Sequence, residues 1–166
     1  MAEAASGAHD PISGGCLCKA VRYSVAFPEG SWPPQRKAIC HCTQCRKSTG
    51  ALMAHVMTVE PQRVTWTCED RSFREYSSSP GVFRGFCQNC GSTLSWRSLS
   101  TPAEIELFTG TLDESVLVGG DGETGRAIVA AERQIWCVNR IKGVSDGAVS
   151  REMYKTGADG EVFQAE

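Results

Sequence analysis

Long hydrophobic runs are missing from this chain of 166 residues: none approaches the roughly 20 apolar residues that a membrane-spanning helix requires, and no lipidation signal is evident. A membrane is therefore not an expected partner. Charge of one sign is missing too. Lys and Arg total 17 against 19 Asp and Glu, and the formal net charge of -2 gives no overall attraction to polyanions, so nucleic acid is not an expected partner either. No stretch carries a sustained helical apolar stripe, which argues against a helical bundle. The opening Met1 to Pro11 is short, polar and Ala-rich, without the apolar centre of a secretory leader, and the expected location is a reducing compartment, the cytoplasm. The sequence carries no mark of an oligomeric state.

What remains is an ordinary globular composition with one excess. Hydrophobic residues at 41% and charged residues at 22% exclude both disorder and a fibrous habit, and the length suits a single domain with its own core. The segment through Ser13 reads as a disordered tail, leaving 14–166 as the domain. After it, Val21, Tyr23, Val25 and Phe27 alternate with Arg22, Ser24 and Ala26, the period of a half-buried strand. Further strands are expected at Lys37 to Cys40, Leu52 to Val59, Arg63 to Thr67, Ser72 to Ser77, Val82 to Cys87, Thr93 to Arg97 and Glu104 to Thr109. Thr43 to Thr49 and Asp113 to Leu117 each suit one helical turn, and the Gly-rich Val118 to Arg126 reads as a surface loop before Ile128 to Val138 turns apolar again. The fold class is mainly β, built of small antiparallel sheets.

The excess is cysteine, with nine in the chain. An odd number cannot pair completely, and in a reducing compartment clustered thiols are more often metal ligands than bridges. Seven fall into three groups: Cys16-x-Cys18, Cys40-x-Cys42-x-x-Cys45 and Cys87-x-x-Cys90. Thiolates this close on tight turns converge on one ion, and Gly14-Gly15 and Gly91 supply bends beside them. Zinc takes four ligands, so the seven divide as four plus three. The two pairs close one tetrahedral site and the triple leaves a position open, unless it recruits His41, His55, Cys68 or Cys137 and becomes a second structural site.

These residues resemble a known family. Gly14-Gly15-Cys16-x-Cys18 with Val21-Arg22-Tyr23, then Cys40-His41-Cys42-x-x-Cys45-Arg46-Lys47-x-x-Gly50-Ala51, then Phe86-Cys87-x-x-Cys90-Gly91-Ser92-x-Leu94, and finally Gly110-Thr111-Leu112-Asp113 look like the glutathione-dependent formaldehyde-activating enzyme family, which includes centromere protein V. The resemblance implies the family's zinc-bearing β fold, the β-tent. It further implies a structural zinc on Cys16, Cys18, Cys87 and Cys90, and a catalytic zinc on Cys40, Cys42 and Cys45. Two departures stand out. Lys19 occupies a place where the family usually has Gly, and the region after Asp113 lacks the family's usual Pro and His residues, so a pocket wall there is a place where the substrate can differ.

Three cysteinates give the second zinc a formal charge of -1, which disfavours a hydroxide-driven hydrolase. A substrate thiol suits it better, because it loses its proton on coordination and presents sulfur to an electrophile. The expected activity is that of a carbon–sulfur lyase joining a thiol, glutathione by resemblance, to formaldehyde or a related carbonyl. Arg46 and Lys47 are candidates for holding the carboxylates of glutathione, with a solvated basic turn as the plainer reading. His41 is either a proton shuttle or a locally bonded side chain. Cys68 and Cys137 have no assigned role; Trp66, Trp96 and Trp136 are expected to fill the core; Met53, His55 and Met57 share one strand face that suits packing. Two other functions compete: a zinc lyase or isomerase acting on a different small molecule in a biosynthetic pathway, and a non-catalytic zinc binding module like centromere protein V.

Overall fold

The computed structural model describes residues 8–68, 71–148, 150–157 and 160–164. Among these described residues eleven strands occur in chain order: β1 (His9–Gly15), β2 (Val21–Phe27), β3 (Lys37–Cys40), β4 (Ala54–Val59), β5 (Val64–Cys68), β6 (Phe73–Ser79), β7 (Val82–Cys87), β8 (Thr93–Ser98), β9 (Ile105–Phe108), β10 (Arg133–Ile135) and β11 (Glu152–Met153). Three short helices join them, α1 (Thr43–Thr49), α2 (Glu114–Leu117) and α3 (Glu123–Val129). The fold is mainly β, as the sequence predicts. No helix among the described residues is long and apolar enough to cross a membrane.

The strands form a three-stranded sheet in the order β1-β2-β5 and an eight-stranded sheet in the order β11-β10-β3-β4-β9-β8-β7-β6. Pairing is antiparallel except at β10, which runs parallel to both β3 and β11. In β2 the alternation is realised residue by residue: Val21, Tyr23, Val25 and Phe27 are buried and the residues between them are not. They meet Met57 and Val59 of β4, Leu94 of β8 and Leu107 of β9 in the main core. Each such side chain contributes on the order of 1.5–3 kcal/mol by leaving water. On the other face of β4, Ala54 and Val56 pack with Phe108, Cys40 and Cys45 in a smaller cluster. That second cluster is the floor beneath the cysteine triple.

Two expectations are corrected. His9 to Ser13 are strand rather than tail, because Ile12 is buried in the main core and the Ser13 carbonyl accepts the Asp113 N–H at 3.0 Å; the earlier part of that tail, residues 1–7, lies outside the described residues. The expected loop at Val118 to Arg126 contains the start of α3. Its glycines serve different ends: Gly120 and Gly122 take positive φ in the turn, whereas Gly125 lies within the helix, where a Cβ would come within 1.8 Å of the Leu117 carbonyl oxygen. Close approach of α2 and α3, and not looseness, requires glycine there. Ile128 then anchors α3 in the core.

Candidate metal and substrate site

Cys16 and Cys18 lie on the turn from β1 to β2, Cys87 ends β7, and Cys90 lies in the turn that follows. Their four sulfurs fall within 4.8 Å of one another. Cys16 and Cys18 are 3.5 Å apart, and Cys18 and Cys87 are 3.8 Å apart. A tetrahedral ion with sulfurs at about 2.3 Å needs them about 3.8 Å from each other, far beyond the roughly 2.05 Å of a disulfide. The donor set therefore fits a soft divalent metal. The backbone is arranged for thiolates as well: the Val21 N–H donates to Cys16 Sγ at 3.2 Å, and Ser92 Oγ lies 3.3 Å from Cys90 Sγ while accepting the Leu17 N–H at 3.0 Å. Gly91 turns with φ 75°. Lys19 does the same with φ 67°, a left-handed conformation that costs a residue with a Cβ and suits glycine better.

The triple is local. Cys40 closes β3, Cys42 caps the N-terminus of α1 and accepts the Cys45 N–H on its sulfur at 3.2 Å, and Gly50 ends the helix with φ 72°. The three sulfurs also lie within 4.8 Å of one another, and no fourth His, Cys, Asp or Glu among the described residues joins them. Hydrogen bonds from Cys40 and then Cys45 push the Cys42 thiol down, and the bonds that Cys40 makes to Cys42 and Cys45 push Cys40 up. One thiolate is easily formed, and the loss of the other protons awaits a cation.

The triple opens on a cavity of about 540 Å³. One wall is a row across three paired strands: Arg84 of β7 lies beside Trp96 of β8, and Trp96 lies beside Glu106 of β9. The opposite wall comes from the C-terminal part of the chain, with Ile135, Trp136, Asn139 and Gly157. Arg84 is only 2% exposed, and its terminal nitrogens both lie 3.7 Å from Cys45 Sγ, with Ser48 Oγ and Ser78 Oγ each accepting at 3.2 Å. Arg36 and Glu104 form an ion pair at the cavity rim. Burial pushes the Glu106 carboxyl up to about 7, against the opposing pull of Arg36 and Arg84.

Several expected residues sit elsewhere. Arg46 donates to the Asn139 carbonyl at 2.7 Å, Lys47 is exposed, and neither lines the cavity. His41 is fully buried behind the site with Nε2 2.8 Å from Gln134 Oε1, and burial lowers its pKa. His55 and Met53 line a separate cavity of about 560 Å³ that borders Cys90, while Met57 belongs to the core. Cys68 is exposed and Cys137 is buried. Trp66 packs between Tyr23 and Phe73 as a core residue should, but Trp96 and Trp136 face the cavity. The sequence reading passed over Arg84 and Glu106. Their mark was visible: each is a charged residue within an otherwise apolar strand, at Val82 to Cys87 and Ile105 to Phe108.

A family model described as glutathione-dependent formaldehyde-activating enzyme matches residues 11–139. An uncharacterized lyase of Schizosaccharomyces pombe is 34% identical over 82 residues, which are 49% of this chain and 53% of the relative, so the chain spans about half the length of the curated relative it matches. The crystal structure of a Rhodobacter sphaeroides protein is similar with a TM-score of 0.50 at 22% identity, covering 62% of this chain and 89% of that one. This last likeness is one of fold.

Proposed function

Because the chain belongs to the glutathione-dependent formaldehyde-activating enzyme family, we propose that it is a zinc-dependent carbon–sulfur lyase that forms or cleaves the adduct of a thiol and a small aldehyde. The observation that carries this reading is the set of three convergent cysteines facing a cavity with no fourth protein ligand among the described residues. In this proposal Cys16, Cys18, Cys87 and Cys90 hold a structural zinc, and Cys40, Cys42 and Cys45 hold the catalytic one. A zinc ion there supplies the Lewis acidity that keeps a substrate thiol deprotonated at neutral pH. The relative named as a lyase supports the reaction class.

The chain itself does the positioning. Trp96, Trp136, Val82 and Ile135 offer apolar surface that displaces water from the reacting sulfur and carbon. Gln44, Thr101 and Asn139 line the same cavity and can hydrogen-bond a peptide-like thiol such as glutathione. Arg84 restrains the negative charge at Cys45. All nine cysteines are free of disulfides, in keeping with a reducing location, and a cytoplasmic site of action in a single domain that takes in β1 from His9 belongs to the same proposal.

Calorimetry with glutathione and S-methylglutathione, combined with exchange spectroscopy of glutathione and formaldehyde, tests the reading. Glutathione binds and its adduct exchanges faster with the protein present, while the S-methyl form binds at least about tenfold more weakly, a loss of about 1.4 kcal/mol. Equal affinity for the two ligands and no acceleration would contradict it. A second reading, lyase or isomerase chemistry on another small molecule, is favoured by one observation: Arg46 and Lys47, suited to the carboxylates of glutathione, do not line the cavity.

A further inference from the structure

Glu106 lies in the cavity wall on β9, in a strand whose neighbours Ile105 and Leu107 are buried core residues. Its carboxyl makes no hydrogen bond or ion pair among the described residues. The other charged groups facing the cavity are engaged: Arg36 with Glu104, and Arg84 with Cys45, Ser48 and Ser78. Glu106 is half-buried, so its carboxyl gives up part of its hydration without regaining it from a partner. Its place in the same cavity as the cysteine triple gives it a use.

Resting on the thiol and aldehyde reading above, we propose that Glu106 is the catalytic acid and base that carries the proton between the thiol sulfur and the aldehyde oxygen. In the forward direction the S–H bond breaks and its proton passes to the Glu106 carboxylate. A sulfur electron pair then forms the C–S bond, the carbonyl π pair moves onto oxygen, and Glu106 returns the proton to that oxygen. One proton leaves sulfur and one arrives at oxygen, so a single carboxyl closes the balance without an oxidant, reductant or further reactant. In reverse, the carboxylate takes the hydroxyl proton as the C–S bond breaks. Burial pushes the group up to about 7, with Arg36 and Arg84 pulling it down and Glu104 and Cys42 pushing it up, so both protonation states are present at neutral pH.

The test uses the metal-loaded full chain and glutathione with formaldehyde. Glu106→Gln keeps the shape and loses the exchangeable carboxyl proton, so kcat falls about a hundred- to ten-thousand-fold while melting temperature, KM for the thiol and the thiol-induced spectrum of the cobalt-substituted protein stay as in the parent. Glu106→Ala is equally impaired, and added formate or acetate restores its turnover, which a structural role does not allow. A Gln variant with the parent's kcat overturns the assignment while leaving the lyase reading intact. So does a loss of kcat matched by a loss of thiol binding, since that makes Glu106 a binding residue. A parent that binds no thiol in the cobalt spectrum and catalyses no exchange overturns the underlying reading, and the assignment with it.

Discussion

The guanidinium of Arg84, on β7, meets the sulfur of Cys45, on α1, with both terminal nitrogens 3.7 Å from Sγ. Thirty-nine residues separate the two in sequence. Buried cations are tolerated where an anion answers them, and Cys45 would be that anion once a metal displaced its proton. Arg84 thus acts on the triple from outside the ligand set. Replacing it with Met, of similar length but uncharged, should weaken metal binding at the triple by about 10–100-fold, as loss of a partner to a metal ligand typically does. The four-cysteine site should keep its affinity. Competition with a chromophoric chelator reads both affinities in one titration, and equal losses at the two sites would show a general destabilisation instead.

Lys19 holds a left-handed backbone in the Cys16 turn, with its N–H bonded to the Cys16 carbonyl at 3.0 Å. Its side chain is exposed, so nothing opposes a change of residue. Lys19→Gly relieves the steric cost of that conformation, partly offset by greater freedom in the unfolded chain, for a net gain of about 0.5–1 kcal/mol. Chemical denaturation of the metal-loaded protein measures it. A destabilised glycine variant would contradict the backbone argument.

Trp136 shows the opposite balance between strain and use. It too is left-handed, with φ 60°, yet it is a large aromatic facing the cavity and 38% exposed. Strain kept at such a place points to a function for the ring. Trp136→Gly should melt no lower than the parent and bind the thiol about tenfold more weakly, the loss of roughly 1.4 kcal/mol of apolar contact. Melting and calorimetry together separate these effects, and unchanged affinity would remove Trp136 from the substrate wall.

Asp113 ties the first sheet to the start of α2. Both of its oxygens accept from Arg22, and Ser13 Oγ donates to Oδ2 at 2.6 Å; the bond from Arg22 is the main cause of its lowered pKa. A carboxylate with a depressed folded value contributes stability that is present above the unfolded value of about 3.9 and is lost as pH falls through the folded value. The pair is about one-third exposed, so solvent screening limits the contribution to about 1 kcal/mol. Asp113→Asn should therefore be less stable than the parent by about that much at pH 7, with the gap closing as pH falls below the unfolded value of about 3.9. A gap independent of pH would mean that shape, and not charge, does the work.

Local pattern carried much of this protein into the sequence. The alternation from Val21 to Phe27 became β2 with the expected face buried, and the three cysteine groups converged into a set of four and a set of three. What stayed hidden depends on long-range pairing. The parallel docking of β10 on β3 brings Ile135 opposite Cys40 and delivers Trp136 and Asn139 to the cavity, and no local periodicity announces such a contact. Likewise Arg84, Trp96 and Glu106 become one row only through the register of β7, β8 and β9. Arg46 misled for the same reason: adjacency to Cys45 suggested the substrate, but one residue along a helix turns a side chain by about 100°, here toward the Asn139 carbonyl.

The central claim is that Cys40, Cys42 and Cys45 hold a metal with one position kept for a substrate thiol. Cobalt(II) substitution followed by glutathione titration tests it most directly. The account predicts two cobalt ions per chain and a rise in thiolate-to-cobalt charge transfer that saturates at one glutathione per chain. That rise should be absent in Cys42→Ala and absent with S-methylglutathione. A spectrum unchanged by glutathione, with both sites loaded, would contradict the account.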